Sequence, residues 1–199
     1  MRSESQRQRG FTLIDVLVII VLLGLVAGTT TTLFSQLAAQ SAMTLKQRQL
    51  LAAATSLLDE VRAAPFTYCD GQDANVASAA SSAGCATLVD GMGPEPGETR
   101  YSAGLTRFDS VTDYQGLVMP GAGCAGICDM AGNVLSVAGS PLQGCSERVN
   151  LAPLAMPGVA AVDAGGRAQS LRIVVTLSCA GLADIVVEGV RLRHSPRAL

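Results

Sequence analysis

The stretch RGFTLIDVLVIIVLLGLVAG, residues 9–28, decides how the rest of the chain is read. It joins a basic leader to a run of aliphatic side chains that contains one acid, Asp15. Arg2, Arg7 and Arg9 precede the run, with only Glu4 opposing them, and positions 16–45 carry no charged side chain. Continued through Phe34, the segment reaches the ~20 residues that a bilayer span requires. Leu, Ile, Val and Phe each favour insertion by ~0.3–0.6 kcal/mol, whereas an acid at the centre of a span costs ~2.5–3.5 kcal/mol. A run with this many aliphatic residues tolerates one aspartate near its end. The excess of arginine before it places the N-terminus in the cytoplasm and the remainder across the membrane.

A cleaved secretory signal is the competing reading, because small residues suited to a signal-peptidase site follow in VAGTTTTLFSQLAAQSA, residues 26–42. Asp15 argues against it, since the apolar core of a signal peptide excludes charge. The helical pattern also continues past any such site. Leu33, Leu37, Leu45, Leu50, Ala54, Leu57, Leu58 and Val61 form a partial stripe at helical spacing. Pro65 ends it. One helix is therefore expected over about 12–64, apolar on all sides in its first half and amphipathic in its second. Gly24, Gly28 and Thr29, Thr30, Thr31 and Thr32 are poor helix formers, which leaves two readings open there: local bending or melting, or a helix kept straight by its tertiary context.

The chain has 199 residues and a formal net charge of −2, so it has no broad basic field for nucleic acid. Apolar residues make up 49% of it, but aromatics only 4%. The single histidine, His194, lies near the C-terminus, where no partner for histidine-based catalysis is evident. No nucleophile–base pair or cofactor-binding motif stands out, and the chain reads as a non-enzyme.

Six cysteines, Cys69, Cys85, Cys124, Cys128, Cys145 and Cys179, all follow the apolar segment. Their even number in a loop-rich region points to disulfides in an oxidising compartment. Fifteen connectivities are open. Cys69 and Cys85 bracket a Ser-, Ala- and Asp-rich loop and are the favoured pair. Cys145 with Cys179, and Cys124 with Cys128, are further candidates. The C-x3-C spacing of Cys124 and Cys128 is a poor zinc signature.

From Phe66 the composition turns to Gly, Ser, Asp and Pro. Residues 170–179 and 183–193 read as two strands joined by Ala180-Gly181-Leu182, an antiparallel hairpin. Further strands are expected near 134–137 and 155–162. The fold class is α+β: a long N-terminal helix packed on a small antiparallel head with disulfide-tied loops. Asp59 and Glu60 point about 100° apart on a helix and do not form a catalytic pair, so capping of the polar face or a salt bridge to a neighbour is the better reading. Glu95, Glu98, Asp109 and Asp113 are calcium-type ligands, but no D-x-D-x-D-G pattern joins them; solvated loops are expected and no metal is assigned.

Gly10-Phe11-Thr12-Leu13-Ile14-Asp15 and the apolar run after it resemble the N-terminal motif of type IV pilins and type II secretion pseudopilins. That resemblance implies a leader (residues 1–10), a transmembrane and filament-core half-helix (11–34), an amphipathic half-helix (35–64) and a β-rich head (65–199). It implies cleavage between Gly10 and Phe11 by a prepilin peptidase, N-methylation of Phe11, and a charge pair between the Phe11 amine and Asp15 of neighbouring subunits. The family usually carries Glu at the position of Asp15. Residues 57–66, 93–100 and 108–117 also resemble segments of the D-type minor pilins of the mannose-sensitive haemagglutinin pilus. The implied role is a low-copy pilus subunit, held in the inner membrane with its head in the periplasm and then moved into an extracellular filament. Its implied partners are other pilin subunits and the inner-membrane assembly machinery. A secretion pseudopilin is the alternative, and a membrane-anchored periplasmic binding module or adhesin a further one. No cofactor and no nucleic-acid partner are expected.

Overall fold

A computed structural model of the chain describes residues 12–137, 140–142 and 144–193. Gly10, Phe11, the leader and His194 lie outside the described residues. The chain divides into two compact units, one ending at Gln47 and the other beginning at Arg48.

Helix α1 runs from Leu13 to Ala63 and crosses that division. Within the first unit its large apolar side chains are exposed, from Leu13 at 83% to Phe34 at 73%. This helix is long and apolar enough to cross a membrane. Of the two readings of the glycine–threonine stretch, melting does not occur: α1 is continuous through it. The Thr29, Thr30, Thr31 and Thr32 hydroxyls turn back onto the carbonyls of Val26, Ala27, Gly28 and Thr29. These back-bonds satisfy the hydroxyl donors within the helix itself.

In the second unit the last four turns of α1 bury Leu50, Ala54, Leu57, Leu58 and Val61 in one apolar cluster. The spacing of these residues places them on one helix face. Among the described residues six strands follow: β1 (Val118–Met119), β2 (Ser136–Val137), β3 (Ser140–Pro141), β4 (Cys145–Pro153), β5 (Ser170–Cys179) and β6 (Ile185–Leu192). Four of them form an antiparallel sheet in the order β1-β4-β5-β6, and β2 pairs with β3 alone. Val149, Leu151, Leu171, Ile173, Val175 and Leu177 line the inner face and complete the core with the helix. The helix passes close over β6 at Gly189, where an added Cβ would lie 3.0 Å from both Leu58 and Arg62.

The 170–193 hairpin matches its reading in sequence, with Gly181 at φ +77° in the turn. One expectation changes. Residues 155–162 form no strand. Met156 and Val159 instead exchange backbone hydrogen bonds around Pro157-Gly158, with Gly158 at φ +81°, the glycine position of a type II turn. The strand lies earlier, at β4, where Cys145, Glu147, Val149 and Leu151 alternate inward. An inward glutamate interrupts the apolar alternation by which such a strand is recognised.

Candidate functional site

At the start of α1, Thr12 and Asp15 cap the helix reciprocally. The Thr12 amide donates to Asp15 Oδ2 at 3.0 Å and the Thr12 hydroxyl donates to the same oxygen at 2.7 Å. The Asp15 amide donates back to the Thr12 hydroxyl at 3.3 Å. This is a capping box, which satisfies amides left open in the first helical turn and sets a negative charge at the positive end of the helix dipole. The T-x-x-D spacing carries that signal in sequence, although Asp15 was assigned there only to a charge pair. Phe11, its expected partner, lies outside the described residues.

The cysteines form three disulfides, Cys69–Cys85, Cys124–Cys128 and Cys145–Cys179. The last joins directly paired residues at the ends of β4 and β5. Inside the Cys69–Cys85 loop, Asp73 accepts amide hydrogens from Asn75, Ala86, Thr87 and Leu88. These bonds, led by that of Leu88, hold its carboxyl well below the usual carboxylate range.

Three separate segments meet at Glu60. Arg100 grips its carboxylate in a two-pronged fork, Nε to Oε1 at 2.7 Å and Nη2 to Oε2 at 2.6 Å. The Tyr114 hydroxyl donates to Oε1 at 2.9 Å. Arg100 Nη1 continues to the Cys128 carbonyl at 2.8 Å, which fastens the small disulfide loop to the helix. Burial, followed by the charge of Glu60, pushes the Tyr114 hydroxyl upward. The hub borders an open groove of about 820 Å³, also lined by Leu57, Leu135 and Glu147. Glu147 is 2% exposed and its Oε1 receives no hydrogen bond. Burial raises its carboxyl to about 7. The salt bridge expected of the Asp59 and Glu60 pair is thus made by Glu60 in the interior, while Asp59 lies 3.9 Å from Arg62 at the surface.

Of the four acids expected in solvated loops, Glu98 and Asp113 are buried and Glu95 and Asp109 half-buried. Asp113 is 1% and Glu98 9% exposed, and both belong to close carboxylate trios. One trio is Asp70, Glu98 and Asp109; the other is Asp90, Glu95 and Asp113. Asp70 and Asp90 carried no signal in sequence, because the acids come from separate loops with no fixed spacing. The structure brings these groups together because residues 66–117 fold as one layer of turns tied by Cys69–Cys85 and by the Pro65 carbonyl, which accepts the Val111 amide.

Residues 5–31 match the family model of the prokaryotic N-terminal methylation motif. This motif supports a type IV pilin or pseudopilin subunit and implies processing by prepilin peptidase. No curated protein and no solved structure matches the chain.

Proposed function

We propose that the chain is a minor structural subunit of a type IV pilus of the mannose-sensitive haemagglutinin kind. It waits in the inner membrane, N-terminus in the cytoplasm and head in the periplasm, and then joins a filament concerned with pilus assembly or adhesion. The observation that carries this reading is the methylation motif at residues 5–31, set on a helix whose large apolar side chains from Leu13 to Phe34 are exposed among the described residues. Such a helix needs lipid or other helices around it. Prepilin peptidase would cut between Gly10 and Phe11 and methylate the Phe11 amine. In a filament, Asp15 of one subunit would face the amine of its neighbour. At ~4 Å and an effective dielectric of ~20 such a pair attracts by about 4 kcal/mol before desolvation, comparable to the cost of placing an acid in the membrane. The role is structural rather than enzymatic.

The test is the intact mass and N-terminal sequence of the unreduced chain purified from its native membrane. N-methyl-Phe11 with three disulfides intact is the expected result. A mature start beyond Ala39 would remove the membrane helix and end the filament reading. Recovery with secretion machinery and never in sheared pili would move the chain to the pseudopilins.

A further inference from the structure

We propose that Asp90, Glu95 and Asp113 hold a calcium ion in the loop layer of the head. Each of the three offers one carboxylate oxygen, and these oxygens all lie within 4.8 Å of one another. Calcium takes oxygen ligands at about 2.3–2.6 Å, so oxygens drawn this close together can share one ion.

The arrangement at Asp113 itself points to a ligand. Its Oδ2 accepts the amides of Asp109 at 2.9 Å and Ser110 at 2.7 Å. Its Oδ1 receives no hydrogen bond, although the residue is only 1% exposed. The backbone thus fixes one oxygen and leaves the other buried and bare, on a carboxylate that lies within the Asp90–Glu95–Asp113 trio. A buried acceptor without a donor is costly, and native proteins rarely leave one so. Asp90 repeats the pattern: Oδ1 accepts the Thr112 hydroxyl at 2.6 Å, and Oδ2 receives no hydrogen bond at 2% residue exposure. Glu95 Oε2 is the third such atom.

The charge balance agrees. The second trio, Asp70, Glu98 and Asp109, is linked to the first through the Glu95 amide, which donates to Glu98 Oε2. Among the described residues one ion pair reaches these six acids, Arg193 Nη1 to Asp90 Oδ2 at 3.7 Å. Arg193 is already committed elsewhere: it donates to the Ala168 and Thr67 carbonyls and stacks over Phe66 and Tyr68. A divalent cation supplies the positive charge that these acids lack beyond Arg193. Calcium suits this set better than magnesium, which demands near-ideal octahedral geometry and gives up its water reluctantly.

The test uses the full chain in detergent, stripped with EGTA at pH 7.5. Equilibrium dialysis against radioactive calcium should find one ion per chain, with half-saturation at about 0.1–1 mM, as in extracellular modules. Saturating calcium chloride should raise the melting temperature of the head by about 4 °C or more. Asp113→Asn should melt no lower than the wild type in EGTA, because it removes a buried charge, yet lose at least tenfold in calcium affinity. Glu95→Gln, at a half-buried loop position, provides the same test if Asp113→Asn fails to fold. The proposal is overturned by a wild-type chain that takes up no calcium. It is equally overturned by a folded variant that binds as tightly as the wild type, or by magnesium chloride giving the same shift at the same concentration.

Discussion

Glu60 shows how one side chain can join distant parts of the sequence. Its carboxylate is held by Arg100, 4% exposed, and by Tyr114, and the three residues come from the three segments 57–66, 93–100 and 108–117. A fork of this kind is charge-assisted and planar. Removing the guanidinium leaves the acid largely buried without its counter-charge. Arg100→Ala should therefore destabilise the head by about 3 kcal/mol or more, read as a lower urea midpoint. Arg100→Lys should restore only part of the loss, since an ammonium cannot form the fork. Glu147, nearby, behaves in the opposite sense. Burial raises its folded-state pKa to about 7, above the ordinary glutamate value, so the folded state holds the proton more tightly than the unfolded one. Its contribution is neutral below about pH 4.5, and the head loses stability as pH rises from there to about 7. Glu147→Gln should match the wild type at pH 4 and exceed it by about 2–3 kcal/mol at pH 8 in urea unfolding.

At the scale of the element, packing of α1 on the sheet depends on Gly189. A Cβ there would meet Leu58 and Arg62 at 3.0 Å, tighter than ordinary contact. Gly189→Val should lower the stability of the head by about 1–3 kcal/mol, the usual cost of overpacking, measured as a fall in melting temperature with β-sheet circular dichroism retained. The facing helix surface was legible in sequence, because Leu50, Ala54, Leu57 and Val61 repeat at helical spacing. So was the β5–β6 hairpin, where β-branched residues flank a glycine turn. β4 was not legible, because Glu147 takes an inward position that an apolar pattern reserves for a hydrophobe. The carboxylate trios were hidden for another reason. Asp70, Asp90, Glu95 and Asp113 converge only through the folding of loops, and no sequence interval records that. The Thr12–Asp15 cap lies between these cases: its spacing was visible, but the charge of Asp15 drew the reading toward a partner outside the chain.

At the scale of the whole molecule, the two units differ in where their apolar surface goes. The unit beginning at Arg48 buries its own core. The unit ending at Gln47 leaves Leu, Ile, Val and Phe side chains uncovered, with Asp15 at the head of the run. If the chain works as proposed, membrane retention and filament entry depend on different features of that unit. Retention follows the apolar run, which Asp15 only weakens. Entry depends on the acid that meets a neighbour's amine. Asp15→Ala should therefore be processed and held in the inner membrane at wild-type levels, with head stability unchanged because, among the described residues, the core cluster begins at Leu50. The same variant should be lost from the sheared pilus fraction by tenfold or more, as a charge pair worth upwards of 1.4 kcal/mol requires. Asp15→Glu separates the charge from its present capping geometry. It keeps a carboxylate with longer reach, and should enter pili at least as well as the wild type. Immunoblots of membrane and sheared fractions read both variants. Equal entry of Asp15→Ala would leave Asp15 with the one role visible within the chain, the cap it shares with Thr12.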